Sequence, residues 1–219
     1  MPGGNVGPGV IVDTAHWSHL ETLDRRTLRM GPGVVADQAE AVARGLGHFI
    51  PALPSSSDRC RMGGMVANNA AGARSFGYGA VKAWVPALEV VTADGKAHRL
   101  ERSSTGTSPF GALRQEVAQR WGDDVRTHWP QVRKNSSGYA LDDVLPAGDP
   151  VSLMLGSEGT LAVITGVELD LAPVPTTRML VLLALPSLEL LDPLVGDVQR
   201  LGASACEFFG RRFLEVGGL

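Results

Sequence analysis

The sequence predicts an α+β fold, and three observations carry that expectation. Apolar runs of strand length alternate with runs at helical spacing; an Asp-Gly pair between two strand-like runs marks an antiparallel hairpin; and glycine, 27 of 219 residues, gathers in short clusters. Hydrophobic residues make up 44% and charged residues 20%, enough apolar material for a core and too little charge for a disordered chain. A formal net charge of −3 argues against a nucleic-acid partner, which would call for a clustered basic face. No long uncharged apolar run suggests a membrane span, and the N-terminus lacks a signal-peptide pattern.

Taken in order, Val10-Ile11-Val12 is an apolar run between glycine and Asp13 and reads as a buried strand. Thr27 to Met30 reads as a second strand entering the turn Gly31-Pro32-Gly33. Ala39, Val42, Ala43 and Leu46 stand at helical spacing, so a helix is expected over 36–46, closed by Gly45 and Gly47. Segment 51–80 is rich in proline, serine and glycine without steady periodicity, and irregular stretches of that length are often functional. Ala87 to Thr92, the turn Ala93-Asp94-Gly95 and Lys96 to Leu100 read as a hairpin. Ser103 to Ser108 is a polar linker, and Leu113, Val117 and Trp121 predict an amphipathic helix. Residues 151–156 and 161–172 read as strands flanking Ser157-Glu158-Gly159-Thr160.

Pro173-Val174-Pro175 marks a domain boundary, giving 1–175 and 176–219. Beyond it, Met179 to Ala184 reads as a strand, and Ser187 as the cap of a helix carrying Leu191, Leu194, Val195, Val198 and Leu201, with Pro193 delaying or kinking it. Residues 204–209 read as another strand. A unit of this size cannot bury its own apolar faces, so a longer natural protein is expected.

Five motifs carry candidate chemistry. Gly63-Gly64 followed by Met65-Val66-Ala67-Asn68-Asn69-Ala70-Ala71-Gly72 suits a diphosphate, because backbone N–H donors converge on phosphate only where side chains stay short. A tightly packed helix or turn has the same composition, and the stretch is neither a GxGxxG fingerprint nor a phosphate loop. Pro54-Ser55-Ser56-Ser57-Asp58 offers hydroxyls in a turn-rich run, or an ordinary solvated loop. Ser75-Phe76-Gly77-Tyr78-Gly79 sets aromatics between glycines, which suits a backbone passing a flat ring or plain core packing. Gly156 to Leu161, with Val163 and Ile164 beyond, combines polar groups with an apolar wall, or forms a simple turn. Lys134, in Lys134-Asn135-Ser136-Ser137-Gly138-Tyr139, is a candidate cation beside an electron-accepting ring, or a surface lysine. Cys60 and Cys206 read as buried small hydrophobes. Of the five histidines only His16 and His19 are close in sequence, and no metal is expected.

In this order, the segments resemble the superfamily of vanillyl-alcohol oxidase and p-cresol methylhydroxylase (PCMH), in particular its glycolate oxidase and D-lactate dehydrogenase branch. The resemblance runs from Gly31-Pro32-Gly33-Val34 through Pro54 to Cys60, Gly63 to Gly72, Tyr78-Gly79, Leu88 to Gly95, Lys134 to Tyr139 and Gly156 to Leu161. It implies a PCMH-type FAD-binding domain, mainly its second subdomain, followed by the start of an antiparallel-sheet cap. It implies FAD as cofactor, held by Pro54, Ser55, Ser56, Ser57, Asp58, Gly63, Gly64, Asn68, Asn69, Ala70, Gly72, Tyr78, Gly79, Lys134, Glu158, Gly159, Thr160, Leu161 and Ile164. The implied reaction removes a hydride from the hydroxyl-bearing carbon of a small 2-hydroxy acid such as D-lactate, glycolate or D-2-hydroxyglutarate, onto flavin N5. A quinone, cytochrome or iron–sulfur protein would take the electrons, and no residue is assigned as the catalytic base. The family's first diphosphate loop should precede Gly3-Gly4-Asn5, so the first FAD subdomain and most of the cap are expected to be missing. The alternative is a non-catalytic or flavin-binding subunit of a larger dehydrogenase; a third reading, an NADPH-linked reductase of peptidoglycan precursors, fits Asn68-Asn69 less well. From the lack of a signal-peptide pattern and of a membrane span, a cytoplasmic protein, or one peripheral on the inner face of the membrane, is expected.

Overall fold

The computed structural model describes residues 10–102, 109–132, 135–136 and 138–218. Its centre is a five-stranded sheet in the order β1-β2-β6-β4-β5. The chain enters it through β1 (Leu20–Thr22) and β2 (Thr27–Met30), which pair antiparallel. Leu28 and Met30, on one face of β2, are fully buried, while Thr27 and Arg29 are half-buried, the alternation of a strand with one face on the core.

Helix α1 (Ala36–Gly45) follows as expected and buries Ala36, Ala39 and Ala43. The short β3 (His48–Phe49) leads into 51–80, where two short helices interrupt the irregular chain: α2 (Met62–Ala67) and α3 (Ser75–Tyr78). In α2 Met62, Met65 and Val66 face the core, and Gly63 packs so closely on Pro32 that a Cβ there would lie 2.5 Å from the proline Cβ. A 3₁₀ turn (Val81–Trp84) then feeds β4 (Ala87–Thr92) and β5 (Ala97–Glu101). Their hairpin turns at Gly95 with φ 79°, a conformation glycine adopts without a Cβ penalty.

Helix α4 (Gly111–His128) forms where the periodicity places a helix, but its apolar stripe is not buried: Trp121 is half-exposed, and Gly122 is the buried residue of the helix. Helices α5 (Leu141–Ala147) and α6 (Pro150–Met154) follow. The strand expected over 151–156 is therefore a helix. An unbroken apolar run has no period to separate a buried strand from a buried helix. What decides is Asp149, whose carboxylate accepts the Val151 N–H at 2.9 Å as an N-cap, with Pro150 in the first helical position. Every residue of α6 is buried.

Strand β6 (Ala162–Asp170) closes the sheet between β2 and β4, with a bulge where Glu89 pairs Gly166 and Val90 pairs Ile164. It bonds β2 with Leu28 opposite Leu169 and Met30 opposite Val167, so the two ends of the fold meet in one core. The short β7 (Ala172–Pro173) pairs β3 separately.

Three further expected strands are absent. Val10-Ile11-Val12 is irregular and exposed. Residues 179–184 and 204–209 also form no strand. Met179, Leu180 and Leu182 are 86%, 95% and 93% exposed. A strand needs a neighbouring edge for its N–H and C=O groups, and among the described residues none reaches this segment. Ser187 does cap, accepting the Glu189 N–H at 3.2 Å, and a 3₁₀ turn (Leu188–Leu190) runs into α7 (Leu191–Arg200). Pro193 sits in the first turn of α7, where its missing N–H costs nothing. Helix α8 (Arg211–Val216) ends the described chain and carries Arg211 and Arg212 exposed to solvent. Both cysteines are free and half-buried rather than buried, with Cys60 Sγ 3.1 Å from Ser56 Oγ.

Candidate functional site

The glycine-rich helix and the acidic turn lie side by side. The Glu158 N–H donates to the Ala67 carbonyl at 3.0 Å, which ties the loop ahead of β6 to the end of α2. Both junctions are held in the left-handed region by non-glycine residues, Asn69 at φ 47° and Glu158 at φ 51°. Such conformations persist only where the surroundings hold them, and they gather at ligand clamps and switches.

A third stretch closes on the same place. Ser136 Oγ donates to the Asn69 carbonyl at 3.1 Å. Tyr139 and Thr160 share a hydroxyl hydrogen bond of 2.7 Å; since Thr160 Oγ1 gives its proton to the Ser157 carbonyl at 2.6 Å, Tyr139 is the donor. Lys134, the expected cation of this stretch, lies outside the described residues.

The side chains divide into supports and open groups. Asn69 is buried, and its Oδ1 accepts the Lys82 N–H at 3.1 Å, so it anchors the following 3₁₀ turn. Ala70 accepts from Val81 N–H at 2.9 Å. Leu161 and Ile164 pack into the hydrophobic core. Tyr78 packs edge-on against Phe49 and tilted against Trp84, whose indole N–H bonds the Tyr78 carbonyl at 2.9 Å. In contrast, Gly64 and Gly159 face open space, and Glu158 and Thr160 are exposed. Asn68 gives its amide N–H to the Gly64 carbonyl at 2.8 Å, while its Oδ1 is buried without a hydrogen-bond partner.

Pro54, Ser55, Ser57 and Gly72 line a neighbouring cleft of about 720 Å³, together with Arg74, Gln199, Cys206 and Glu207. Gly72 passes so close to Leu53 that a Cβ would fall on its carbonyl oxygen. Ser56 and Asp58 sit on the outer side of the serine run, bonded to Cys60 and Arg59. Gly79, with φ 79°, lines a second cleft beside Lys82 and Asp142. Arg74 was not singled out by sequence pattern, although it is the lone charged residue between Arg61 and Lys82. Burial pushes its guanidinium below the usual arginine range, with Arg44 and Arg178 adding to the shift and Glu40 opposing it. Among the described residues no group of three or more His, Cys, Asp and Glu could hold a metal ion. No helix of the described residues is long and apolar enough to cross a membrane.

This donor set suits a dinucleotide. The orphaned Asn68 Oδ1 awaits a donor, the open glycines admit close approach, and the free hydroxyls and guanidinium of the cleft suit phosphate. The class defined by fold and site is thus an α+β nucleotide-cofactor domain.

Comparison with known proteins names that cofactor. Residues 1–101 match the family described as FAD binding domain. The chain is 29% identical to the D-lactate dehydrogenase of Archaeoglobus fulgidus, over 99% of this chain and 43% of that protein. It is 31% identical to a D-2-hydroxyglutarate dehydrogenase of Xanthomonas citri pv. viticola, over 87% of this chain and 33% of that one. It is 27% identical to glycolate oxidase subunit GlcD of Bacillus subtilis, again over 87% and 33%. The first part of the chain thus matches an FAD binding domain, and most of its length is similar to these hydroxy-acid dehydrogenases and oxidases. It spans less than half the length of each of these three relatives.

Proposed function

We propose that the chain is the flavin-holding part of an FAD-dependent oxidoreductase that oxidises a small 2-hydroxy acid such as D-lactate, glycolate or D-2-hydroxyglutarate. The observation that carries this reading is the Glu158–Ala67 backbone hydrogen bond, which makes one face of two distant stretches. Bound there, FAD supplies the two-electron acceptor for the carbon bearing the hydroxyl. The chain's own residues hold and orient it. Asn68 Oδ1 accepts a cofactor N–H or hydroxyl, and Gly64 keeps the open face of α2 bare for close approach, while Gly63 lets α2 pack on Pro32. Glu158, Gly159 and Thr160 form the rim, with Thr160 fixed by Tyr139 and Ser157. Ser55 and Ser57 take the phosphate side. A quinone, cytochrome or iron–sulfur protein would be the electron acceptor.

A second reading has one observation in its favour. The run Met179 to Leu183 is apolar and exposed, as expected of a flavin-binding subunit that completes its substrate domain with a partner chain.

The test is to incubate the purified chain with FAD, remove free cofactor and record the visible spectrum, then add each hydroxy acid with an artificial dye as acceptor. About one flavin per chain and dye reduction by one of the three acids is expected. Retained flavin without dye reduction favours the subunit reading. A folded chain that retains no flavin overturns both.

A further inference from the structure

The second cleft, of about 860 Å³, lies where α4, α5 and the 3₁₀ turn after α3 come together. Ala118, Gly122, Val125 and Trp129 recur along one side of α4 at helical spacing and line it, with Leu141 and Leu145 from α5. Gly122 is buried, yet a Cβ there would meet nothing nearer than the Arg126 guanidinium at 4.0 Å, so the cleft reaches the backbone of α4. Three charged side chains share this apolar lining: Lys82, Arg126 and Asp142. Both cations already have an acid, Lys82 Nζ pairing with Asp143 at 2.7 Å and Arg126 with Asp123. Asp142 has none. Among the described residues it enters no ion pair, and its Oδ1 is buried without a hydrogen-bond partner. The dipole of α5 favours an acid in its first turn, which explains a carboxylate at this position. It does not explain an oxygen taken out of water with no donor to replace it, an arrangement that costs stability.

We infer that this cleft binds a small organic cation, a primary ammonium on an aromatic or branched apolar body, with Asp142 as its counter-ion. A primary ammonium carries one positive charge and three N–H donors, which match a lone carboxylate short of a partner. Trp129 adds an aromatic surface, favourable to a cation, and the aliphatic side chains of α4 and α5 take the apolar body. A carboxylate ligand meets the opposite situation: Asp142 repels it, and the two cations of the cleft are engaged with acids of their own. The hydroxy acids therefore do not belong here. The inference does not depend on the flavin reading, although Gly79 borders this cleft as well.

The experiment titrates phenethylamine, phenethyl alcohol and 3-phenylpropionate into the ¹⁵N-labelled chain near neutral pH and follows the amide resonances. Phenethylamine, a cation at that pH, is expected to shift Gly122, Trp129 and Asp142 saturably, at least tenfold more tightly than the uncharged alcohol, with no effect of the carboxylate. Asp142→Asn is expected to weaken the amine about tenfold and leave the alcohol unchanged. Gly122→Leu, whose side chain would fill the cleft, is expected to weaken both. Should either variant fail to fold, the order of the three probes on the wild-type chain still decides. Amine binding that is absent, no tighter than that of the alcohol or carboxylate, or indifferent to Asp142→Asn overturns the inference. Displacement of the amine by FAD gives the cleft to the cofactor and overturns it too. Amine binding of the expected kind in a chain that retains no flavin keeps this site and overturns only the flavin reading.

Discussion

Gly72 and Gly64 stand eight positions apart in one glycine-rich stretch and do opposite things. At Gly72 a Cβ would fall on the Leu53 carbonyl, and neither backbone can yield without moving the cleft wall. At Gly64, in the middle of α2, a Cβ would meet nothing within 4 Å. Gly72→Ala is therefore expected to destabilise the chain by about 2 kcal/mol or more, and Gly64→Ala to stabilise it by about 0.5–1 kcal/mol while weakening FAD binding. Urea midpoints of the two variants, with FAD affinity of the second, check both. Equal stability effects would mean that the two glycines are not distinguished by space. Composition alone pointed to this stretch as a place of close backbone approach. Which glycine faces packing and which faces ligand was not legible, because both have the same side chain and the difference lies in a loop elsewhere in the chain.

Among the elements, those with a period or a turn signal were legible: α1 from its alanine and valine spacing, and the β4–β5 hairpin from Asp94-Gly95. Those that depend on a distant partner were not. Helix α6 hid in an apolar run, and the strand expected over 179–184 did not form, since a strand exists only with an edge to pair. The same dependence explains the weight on Asp149. It caps α6, accepts from Ser152 Oγ at 2.7 Å and pairs with Arg102 at 2.5 Å, while Arg102 also bonds the carbonyls of Val85 and Lys82. One carboxylate thus ties α6 to the chain on either side of the hairpin. Asp149→Ala is expected to cost about 2–3 kcal/mol, roughly 1 from the cap and the rest from the guanidinium left without its acid. Chemical denaturation measures it; a loss under about 0.5 kcal/mol would show that α6 holds by apolar burial alone.

At the scale of the molecule, β6 is what makes a site out of remote segments. It pairs with β2 from the beginning of the described chain and β4 from the middle, and the loop that starts it lands on the end of α2. The motifs were legible one by one, and their order carried the family resemblance. Their convergence was not, because contact between Ala67 and Glu158 is a property of sheet order. Arg74 was missed for a related reason: only the fold sets its guanidinium over the Phe49 ring. The account stands or falls on whether that convergence is where the cofactor sits. Titrating FAD into the ¹⁵N-labelled chain and following amide resonances tests it most directly. The expected result is a saturable shift of Gly64, Asn68, Gly159 and Thr160 with one common affinity, while the turn at Asp24–Arg26, at the other end of β6, stays still. Saturable FAD binding that leaves those four amides unmoved and shifts signals elsewhere would contradict it.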